Sequence, residues 1–432
     1  MILRSAAVRA PLRGRLRPPG DKSISHRAVI LSGLAKGESR VEHWLASTDV
    51  RATMRAMCQL GAEVTESSGV LIIVGTGGGR LTAPTRPLDM GNSGTAMRLL
   101  AGVLAAQPFD SILTGDRSLN ARPMRRIILP LEGMGASITA SPEGTAPLRI
   151  SGNPGLHGID YVSPVASAQI KSCVLLAGLY ASGSTSVTEP RPSRDHTERM
   201  LPLFGVELAG PCAVEGGSQL QGGHVEVPAD PSSAAFLAAA ALLVPDSEVE
   251  MTDVGLNETR TAFFRVVEAM GADITCRNRR HLGNEPVGDV TVRYSGRLRG
   301  IEVPPEWIPA MIDEVPVLLA LAAVADGPTR IREAAELRIK ESDRLAVMAK
   351  ALQAAGITAQ ERGDGIDVKG GSPGSARVDA ADDHRCAMSL AVLGLTVESG
   401  LVIDGAGYID TSYPGFLEDM ARIGADRLAP AT

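Results

Sequence analysis

The stretch Gly20-Asp21-Lys22-Ser23-Ile24-Ser25-His26-Arg27 places two cations and two serine hydroxyls around the start of a predicted helix. The prolines just before it cannot continue a helix, while the run from Ala28 to Ala35 is apolar. We predict Ser23 as the N-cap, which places Lys22 beside the cap and Arg27 one turn into the helix. Because a helix N-terminus carries free N–H groups and partial positive charge, this stretch predicts an anion site. The alternative is a capped surface helix with two solvated cations.

Three further predicted helix starts carry more polar groups than a cap requires. In Gly91-Asn92-Ser93-Gly94-Thr95, Gly94 has no side chain to keep a ligand away from the backbone N–H groups, although the same residues are common in turns. Ala166-Ser167-Ala168-Gln169-Ile170-Lys171-Ser172 supplies hydroxyls, an amide and a cation. Asp382-Asp383-His384-Arg385 supplies a cation beside two acids. These starts are candidate ligand contacts.

The segment Arg338-Ile339-Lys340-Glu341-Ser342-Asp343-Arg344 is unusual for a solvated surface. It places Lys340 and Arg344 four residues apart, and on a helix such a like-charge pair is destabilising unless an anion lies over it. The alternative is that Glu341 and Asp343 neutralise the segment.

Two more segments carry groups that could do chemistry. Arg122 precedes Pro123, so its backbone is extended and its side chain can be aimed. Asp313 and Glu314 interrupt an apolar stretch, where carboxylates are costly to bury unless they are paired or functional. The candidate cations are Lys22, Arg27, Arg122, Lys340, Arg344 and Arg385. Together with two or three carboxylates they predict a site for more than one anionic group, with acid–base chemistry beside it.

These residues lie in a pattern of helices and strands that recurs six times. The clearest marker is a Gly that ends each second helix and suits a C′ cap with positive φ: Gly61, Gly135, Gly205, Gly271, Gly356 and Gly424. The first helices are predicted to open near Ser23, Asn92, Ser167, Ser232, Asp313 and Asp383. Short β-rich strands should follow them at Ser39–Trp44, Ser111–Thr114, Thr185–Thr188, Glu248–Met251, Thr329–Arg332 and Leu401–Asp404. Six βαβαββ units divide as three plus three, with the boundary near Val227–Pro231.

Composition excludes several classes of protein. With 432 residues, only 3% aromatics and a net charge of −6, the chain has neither the basic surface nor the stacking platforms of a nucleic-acid-binding protein. No apolar stretch reaches the roughly 20 residues of a membrane span. Five cysteines without CxxC pairing and seven histidines without ligand spacing predict a reduced, cytoplasmic protein with no metal. We interpret the arginine-rich first twenty residues as a mature N-terminal strand rather than a transit peptide.

Seven motifs carry a resemblance over essentially the whole chain: GDKSISHR, GNSGTAMR, LNARPM, ASAQIKS, RDHTE, ELRIKESDRL and DDHR. In this order they resemble the 5-enolpyruvylshikimate-3-phosphate (EPSP) synthase family. The resemblance implies transfer of the enolpyruvyl group of phosphoenolpyruvate to the 5-hydroxyl of shikimate 3-phosphate, releasing phosphate, in the shikimate pathway. It implies no cofactor and small-molecule partners only, and we expect a monomer. It also implies an α/β fold, a two-domain inside-out α/β barrel of six βαβαββ repeats, with residues 19–230 in one domain and residues 1–18 plus 231–432 in the other.

The resemblance also implies roles for individual residues. Shikimate 3-phosphate should be held by Lys22, Ser23, Arg27, Ser167, Ala168, Gln169, Arg194, Asp313 and Lys340, with Arg194 on its phosphate. Phosphoenolpyruvate should be held by Lys22, Gly94, Arg122, Gln169, Arg344 and Arg385. The catalytic residues should be Lys22 with Asp313 and Glu341, the last two as the proton-transfer pair. Because these cations come from both halves of the chain, we expect substrate to close the halves.

Several residues resemble the second class of the family, which includes glyphosate-insensitive members. They are Arg98-Leu99, Ser167-Ala168, Lys171 and Arg194. In this family an Ala at position 94 accompanies tolerance, so Gly94 predicts sensitivity. One departure is that Tyr408–Pro414 lacks a Lys found in many members, which puts one phosphate contact in doubt.

Two alternatives stay open at this stage. The sister transferase acting on UDP-N-acetylglucosamine would show Lys-Asn in place of Lys22-Ser23, and a loop Cys. A non-catalytic, anion-binding repeat protein explains the six units but leaves Asp313, Glu341 and the Lys340/Arg344 pair without a role.

Overall fold

The structure is a computed structural model that describes residues 1–77 and 81–431. Its internal contacts divide the chain into two compact units. Unit A comprises residues 20–227 and 282–285, and unit B comprises residues 1–19, 228–281 and 286–432. Residues 282–285 belong to unit A, although no feature of the sequence distinguishes them from their neighbours.

The α-helices of the described residues are mostly short. They are α1 Lys22–Leu34, α2 Thr48–Gln59, α3 Gly94–Ala105, α4 Arg117–Asn120, α5 Arg125–Gly133, α6 Ala168–Gly178, α7 His196–Met200, α8 Pro231–Leu243, α9 Ala262–Ala269, α10 Val315–Ala322, α11 Arg344–Ala354, α12 His384–Gly394 and α13 Phe416–Arg422. Short 3₁₀ segments lie at Leu201–Phe204, Pro305–Ala310, Ala335–Ile339 and Ala406–Thr411. None of the helices in the described part of the chain has the length and apolarity needed to cross a bilayer.

The strands are also short. They are β1 Leu3–Ser5, β2 Arg13–Leu16, β3 Lys36–Glu42, β4 Glu63–Ser67, β5 Val70–Thr76, β6 Leu88–Asp89, β7 Ser111–Thr114, β8 Ser137–Thr139, β9 Leu148–Ser151, β10 Asp160–Val162, β11 Ser184–Thr188, β12 Ala213–Glu215, β13 His224–Glu226, β14 Glu248–Gly255, β15 Asp273–Leu282, β16 Glu285–Arg293, β17 Pro328–Ile331, β18 Thr358–Arg362, β19 Gly365–Lys369, β20 Ala376–Asp379, β21 Leu401–Asp404 and β22 Leu428–Pro430. All six strands expected after the first helices are present, at β3, β7, β11, β14, β17 and β21.

Within the described residues these strands form six small sheets, one for each predicted repeat. Unit A contains the sheets β13-β3-β5-β4, β6-β7-β9-β8 and β10-β11-β12. Unit B contains β15-β16-β14-β2, β17-β19-β18 and β20-β21-β1-β22. The first strands complete sheets formed by the second half of the chain: Leu3 of β1 pairs antiparallel with Ile403, and Arg13 of β2 pairs parallel with Glu248. The arginine-rich N-terminus is therefore part of unit B.

Each unit packs its sheets around helices that are buried on nearly all sides. In unit A, α3 and α6 approach so closely at Gly102 that a Cβ there would overlap the carbonyl oxygen of Cys173. In unit B, all thirteen residues of α8 are buried, and most of them are Ala or Leu. Burial of each Leu contributes about 1.5–3 kcal/mol. Small residues therefore explain both the close helix packing and the low aromatic content.

The positive φ predicted for the six glycines is confirmed, with values between 77° and 104°. Five of them stand at C′ of an α-helix, and Gly205 is the C-cap of the 3₁₀ segment Leu201–Phe204. Two of the six predicted helix openers, Ser167 and Asp383, are the observed N-caps. The other four lie one or two residues from the observed N-caps, which are Asp21, Ser93, Asp230 and Glu314.

Candidate active site

The start of α1 is capped by Asp21, so the prediction of Ser23 as N-cap is wrong. The Asp21 carboxylate accepts a hydrogen bond of 2.9 Å from the backbone N–H of Ile24. Lys22 is the first helical residue, and its Nζ lies 2.6 Å from the buried carboxylate of Asp49. The correction moves the cap two residues earlier and leaves Ser23 in the first turn.

Arg27 is 3% exposed, and its hydrogen-bond acceptors are neutral oxygens. Its Nε donates to Thr197 Oγ1 at 2.7 Å, its Nη2 to Ser172 Oγ at 2.6 Å, and its Nη1 to the carbonyl of Ser23 at 2.9 Å. Burial lowers the pKa of Arg27 to about 10, although Glu198 opposes this shift. Arg27 is therefore a buried cation whose charge is only partly compensated.

Arg194 reaches the same helix start. Its Nη1 lies 3.4 Å from the hydroxyl oxygen of Ser23. The structure thus brings Ser23, Arg27 and Arg194 together, as their sequence motifs suggested.

Gly94 is the first residue of α3, and Ser93 caps that helix. Two arginines lie beside it, since a Cβ on Gly94 would be 3.3 Å from Nη1 of Arg122 and 3.4 Å from Nη1 of Arg98. Arg122 is buried and donates to Asn92 Oδ1 at 2.7 Å. The Gly94 backbone is therefore flanked by cationic groups.

Gln169 connects the starts of α3 and α6. Ser167 caps α6, Ala168 is its first residue, and Gln169 follows. The Gln169 side chain accepts a short hydrogen bond from Nη1 of Arg98 and donates to Thr95 Oγ1 at 3.1 Å. The starts of α3 and α6 are thus joined by polar side chains.

His26 lies one turn into α1 and is fully buried. Its Nδ1 lies 2.7 Å from Thr53 Oγ1 and its Nε2 lies 3.4 Å from Ser93 Oγ. Burial, with Lys22 and Arg27, holds the pKa of His26 well below 6.5. The ring is therefore neutral and links α1 to the cap of α3.

The depressed pKa of His26 predicts an acid-sensitive fold. The unfolded chain binds a proton at this residue below about pH 6.5, whereas the folded chain does not, so stability should fall as pH drops below that value. We expect His26→Gln to reduce this pH dependence in urea unfolding between pH 7 and 5. His157→Gln, which alters an exposed histidine of the same unit, is the control. An unchanged pH dependence in His26→Gln would contradict the assignment.

In unit B, Arg344 is 1% exposed and is surrounded by three carboxylates. Its Nε lies 2.8 Å from Asp383, its Nη1 3.1 Å from Asp313 and its Nη2 2.7 Å from Glu341. Burial alone would lower the pKa of Arg344, but the carboxylates outweigh burial and raise it well above its ordinary value. In contrast to Arg27, Arg344 pairs directly with carboxylates.

Asp313 is the carboxylate on which three cations of unit B converge. Besides Arg344, Lys340 Nζ and Arg385 Nε each lie 3.8 Å from its Oδ1. Asp313 precedes α10, which begins at Val315. The structure therefore joins Asp313, Glu341, Lys340, Arg344 and Arg385 in one cluster.

The prediction that Lys340 and Arg344 form a helical i,i+4 pair is wrong. Asp343 caps α11, so Arg344 is its first residue and Lys340 lies before the helix. The alternative, neutralisation within the segment, holds in part: Glu341 pairs with Arg344, while Asp343 pairs with Arg338 at 2.6 Å. Lys340 is directed to Asp313 instead.

One group of side chains in the described residues has metal-ligand chemistry. Asp195, His196 and Glu285 bring ligand atoms within 4.8 Å of one another. Arg199 lies 2.9 Å from Asp195 and 4.0 Å from Glu285, and His196 Nδ1 lies 2.6 Å from Glu285. The guanidinium of Arg199 thus places positive charge beside both of these carboxylates.

Several residues that hold the site in place were missed from the sequence. Ser172 and Thr197 hold Arg27, and Asp49 holds Lys22. Ser172 and Thr197 lie within the ASAQIKS and RDHTE motifs, which were a usable signal. Asp49 lies outside every motif, and nothing in its local pattern distinguishes it from an ordinary helix acid.

The fold is shared with solved structures of known enzymes. The solved structure of the enolpyruvyl transferase NikO from Streptomyces tendae matches with a TM-score of 0.80 over 100% of this chain and 99% of that one, at 18% identity. A solved EPSP synthase from Acinetobacter baumannii matches with a TM-score of 0.87 and 42% identity over 100% of both chains.

The family model of EPSP synthase (3-phosphoshikimate 1-carboxyvinyltransferase) matches residues 7–420. A 3-phosphoshikimate 1-carboxyvinyltransferase of Halorhodospira halophila is 51% identical over 96% of this chain and 94% of its own. One from Xanthomonas oryzae is 50% identical over 94% and 93%. The chain therefore belongs to the EPSP synthase family and is a transferase with the two-domain α/β fold of that family.

Proposed function

We propose that this chain transfers the enolpyruvyl group of phosphoenolpyruvate to the 5-hydroxyl of shikimate 3-phosphate and releases phosphate. The observation that carries the proposal in this molecule is Arg27. A buried guanidinium held by two hydroxyls and a carbonyl has no direct carboxylate partner among its hydrogen bonds, and burial lowers its pKa. An anionic group of shikimate 3-phosphate would supply the charge. Family membership supports the same substrate.

We assign binding roles to the site residues described in each unit. Shikimate 3-phosphate is bound by Lys22, Ser23, Arg27, Ser167, Ala168, Gln169, Arg194, Asp313 and Lys340. Phosphoenolpyruvate is bound by Lys22, Gly94, Arg122, Gln169, Arg344 and Arg385. Of the five N–H groups of Arg344, its three carboxylate hydrogen bonds use three, so two can serve a ligand.

Asp313 and Glu341 are proposed as the proton-transfer pair, with Lys22 as a further catalytic residue. The reaction needs a base to remove the 5-hydroxyl proton and an acid to protonate the methylene of phosphoenolpyruvate. Both carboxylates contact Arg344, which fixes their spacing. The three-carboxylate environment of Arg344 thus supports an acid–base role beside an anion site.

Phosphate release tests the proposed reaction. We expect release only when phosphoenolpyruvate and shikimate 3-phosphate are both present, and none when either is omitted. Release that is independent of shikimate 3-phosphate would contradict the proposal. The five cysteines are free, which supports the proposed cytoplasmic location, and the monomeric state stays a prediction.

Gly94 gives a prediction about inhibitor sensitivity. Gly94→Ala would place a methyl 3.3 Å from Arg122 and 3.4 Å from Arg98, so both guanidinium groups must shift by a few tenths of an ångström. Such crowding costs on the order of 1–3 kcal/mol, which is roughly tenfold to a hundredfold in affinity. We expect glyphosate, which in this family competes with phosphoenolpyruvate and is larger, to lose more affinity than the substrate.

The measurement is the inhibition constant of glyphosate and the KM of phosphoenolpyruvate in both proteins. Gly133→Ala is the control, because a Cβ there would meet its nearest neighbour only at 3.9 Å. Millimolar inhibition of the unaltered protein, or no shift in Gly94→Ala, would show that Gly94 does not determine the affinity for glyphosate.

A further inference from the structure

Glu189 joins two segments that carry proposed ligands of shikimate 3-phosphate. It follows β11 directly, and its side chain is 7% exposed. Its carboxylate accepts hydrogen bonds from the backbone N–H of Ser167 at 2.7 Å, from the backbone N–H of Ser193 at 3.3 Å and from the Ser193 hydroxyl at 2.7 Å. A single carboxylate thus connects the cap of α6 to the loop that ends at Arg194.

Lys171 extends this connection to α7. Its Nζ lies 3.1 Å from Glu189 and 2.8 Å from Glu198, and it donates to the carbonyl of Ser193 at 3.3 Å. Burial alone would lower the pKa of Lys171, but the two carboxylates outweigh burial and raise it. Lys171 is therefore a charged cross-link among α6, the loop and α7.

A neighbouring residue on each helix makes a second contact between α6 and α7. Ser172 follows Lys171 on α6, Thr197 precedes Glu198 on α7, and these two hydroxyls hold Arg27. Thr197 also donates to Ser172 at 2.7 Å. Two adjacent sets of contacts therefore join α6 to α7. One set fixes Arg27, and the other fixes Ser167 and the loop that carries Arg194.

We propose that Glu189 is a positioning residue for shikimate 3-phosphate, acting through Ser167 and Arg194 rather than by contact with substrate. The inference rests on the proposed function, since both ligands are assigned there. By fixing the cap and the loop before substrate arrives, Glu189 reduces the ordering that binding must supply. Phosphoenolpyruvate should be affected less, because Gly94 and Arg122 lie on other segments and Gln169, although on α6, is also held by Arg98 and Thr95 of α3.

The test compares Glu189→Gln with Glu198→Gln. Both variants remove one negative charge from the same Lys171 pair, but only the first alters the bonds to Ser167 and Ser193. In Glu189→Gln we expect the Kd and KM for shikimate 3-phosphate to rise about tenfold or more. The KM for phosphoenolpyruvate and kcat should stay within about twofold. Glu198→Gln should raise the KM for shikimate 3-phosphate much less.

Three results would overturn the inference. They are an unchanged Kd for shikimate 3-phosphate in Glu189→Gln, equal effects of the two variants, and an equal rise in both KM values. If Glu189→Gln does not fold, Ser193→Ala removes only the hydroxyl bond, and it should raise the same Kd about threefold without changing kcat. An unchanged Kd in Ser193→Ala would then overturn it. An unaltered protein that fails to bind shikimate 3-phosphate overturns the proposed function as well, whereas binding with unchanged variants overturns this inference alone.

Discussion

Replacing Arg344 by Met is expected to abolish turnover and to lower the free energy of unfolding by about 3–5 kcal/mol. Arg344 is 1% exposed and compensates Asp383, Asp313 and Glu341 at 2.7 to 3.1 Å. Without it, three neighbouring carboxylates would repel one another in a buried cluster. Arg344→Lys should be nearly as harmful, because one ammonium cannot reproduce the geometry of three guanidinium bonds.

Urea unfolding and steady-state turnover measure these effects. Arg377→Met is the matched control, since Arg377 also forms close bonds to a carboxylate, at 2.7 and 2.8 Å to Asp404, but its side chain is 65% exposed. We expect no measurable change in turnover and little in stability for that control. If the free energy of unfolding of Arg344→Met falls no more than that of Arg377→Met, the three-carboxylate cluster does not stabilise unit B.

Asp313→Asn and Glu341→Gln should each lower turnover by a factor of about 10² to 10⁴. Each change removes one member of the proposed proton-transfer pair while keeping the size of the side chain. Arg344 keeps two carboxylate partners in either variant, so the fold should survive. The KM values should change less than kcat, since the loss concerns the transition state.

The pH dependence of kcat distinguishes the two carboxylates from structural ones. Removing the base should abolish the acidic limb of the profile, and removing the acid should abolish the basic limb. A variant with near-normal turnover and an unchanged profile would exclude that residue from the pair.

The repeat pattern was predictable from local sequence. Each C′ glycine, such as Gly61 or Gly424, has a positive φ that other residues rarely adopt, so its position marks a helix end without tertiary information. Short strands such as Ser111–Thr114 followed from β-branched and apolar residues bounded by turns. Local backbone preferences therefore determined most of the element order.

The errors have a different origin. At α1 both Asp21 and Ser23 are good caps, and only the path of the chain decides which side chain reaches the backbone N–H of Ile24. Whether Lys340 and Arg344 share a helix likewise depended on the Asp343 cap. The partner of Lys22, Asp49, lies on another helix, and sequence separation conceals such contacts.

The most direct test of the proposed reaction is ³¹P NMR of one mixture containing the protein, phosphoenolpyruvate, shikimate 3-phosphate and UDP-N-acetylglucosamine. We predict that the signals of phosphoenolpyruvate and shikimate 3-phosphate decline together, while inorganic phosphate and one new phosphomonoester signal appear in equal amounts. The diphosphate signals of UDP-N-acetylglucosamine should not change. Consumption of the nucleotide sugar, or loss of phosphoenolpyruvate without a new phosphomonoester, would contradict the account.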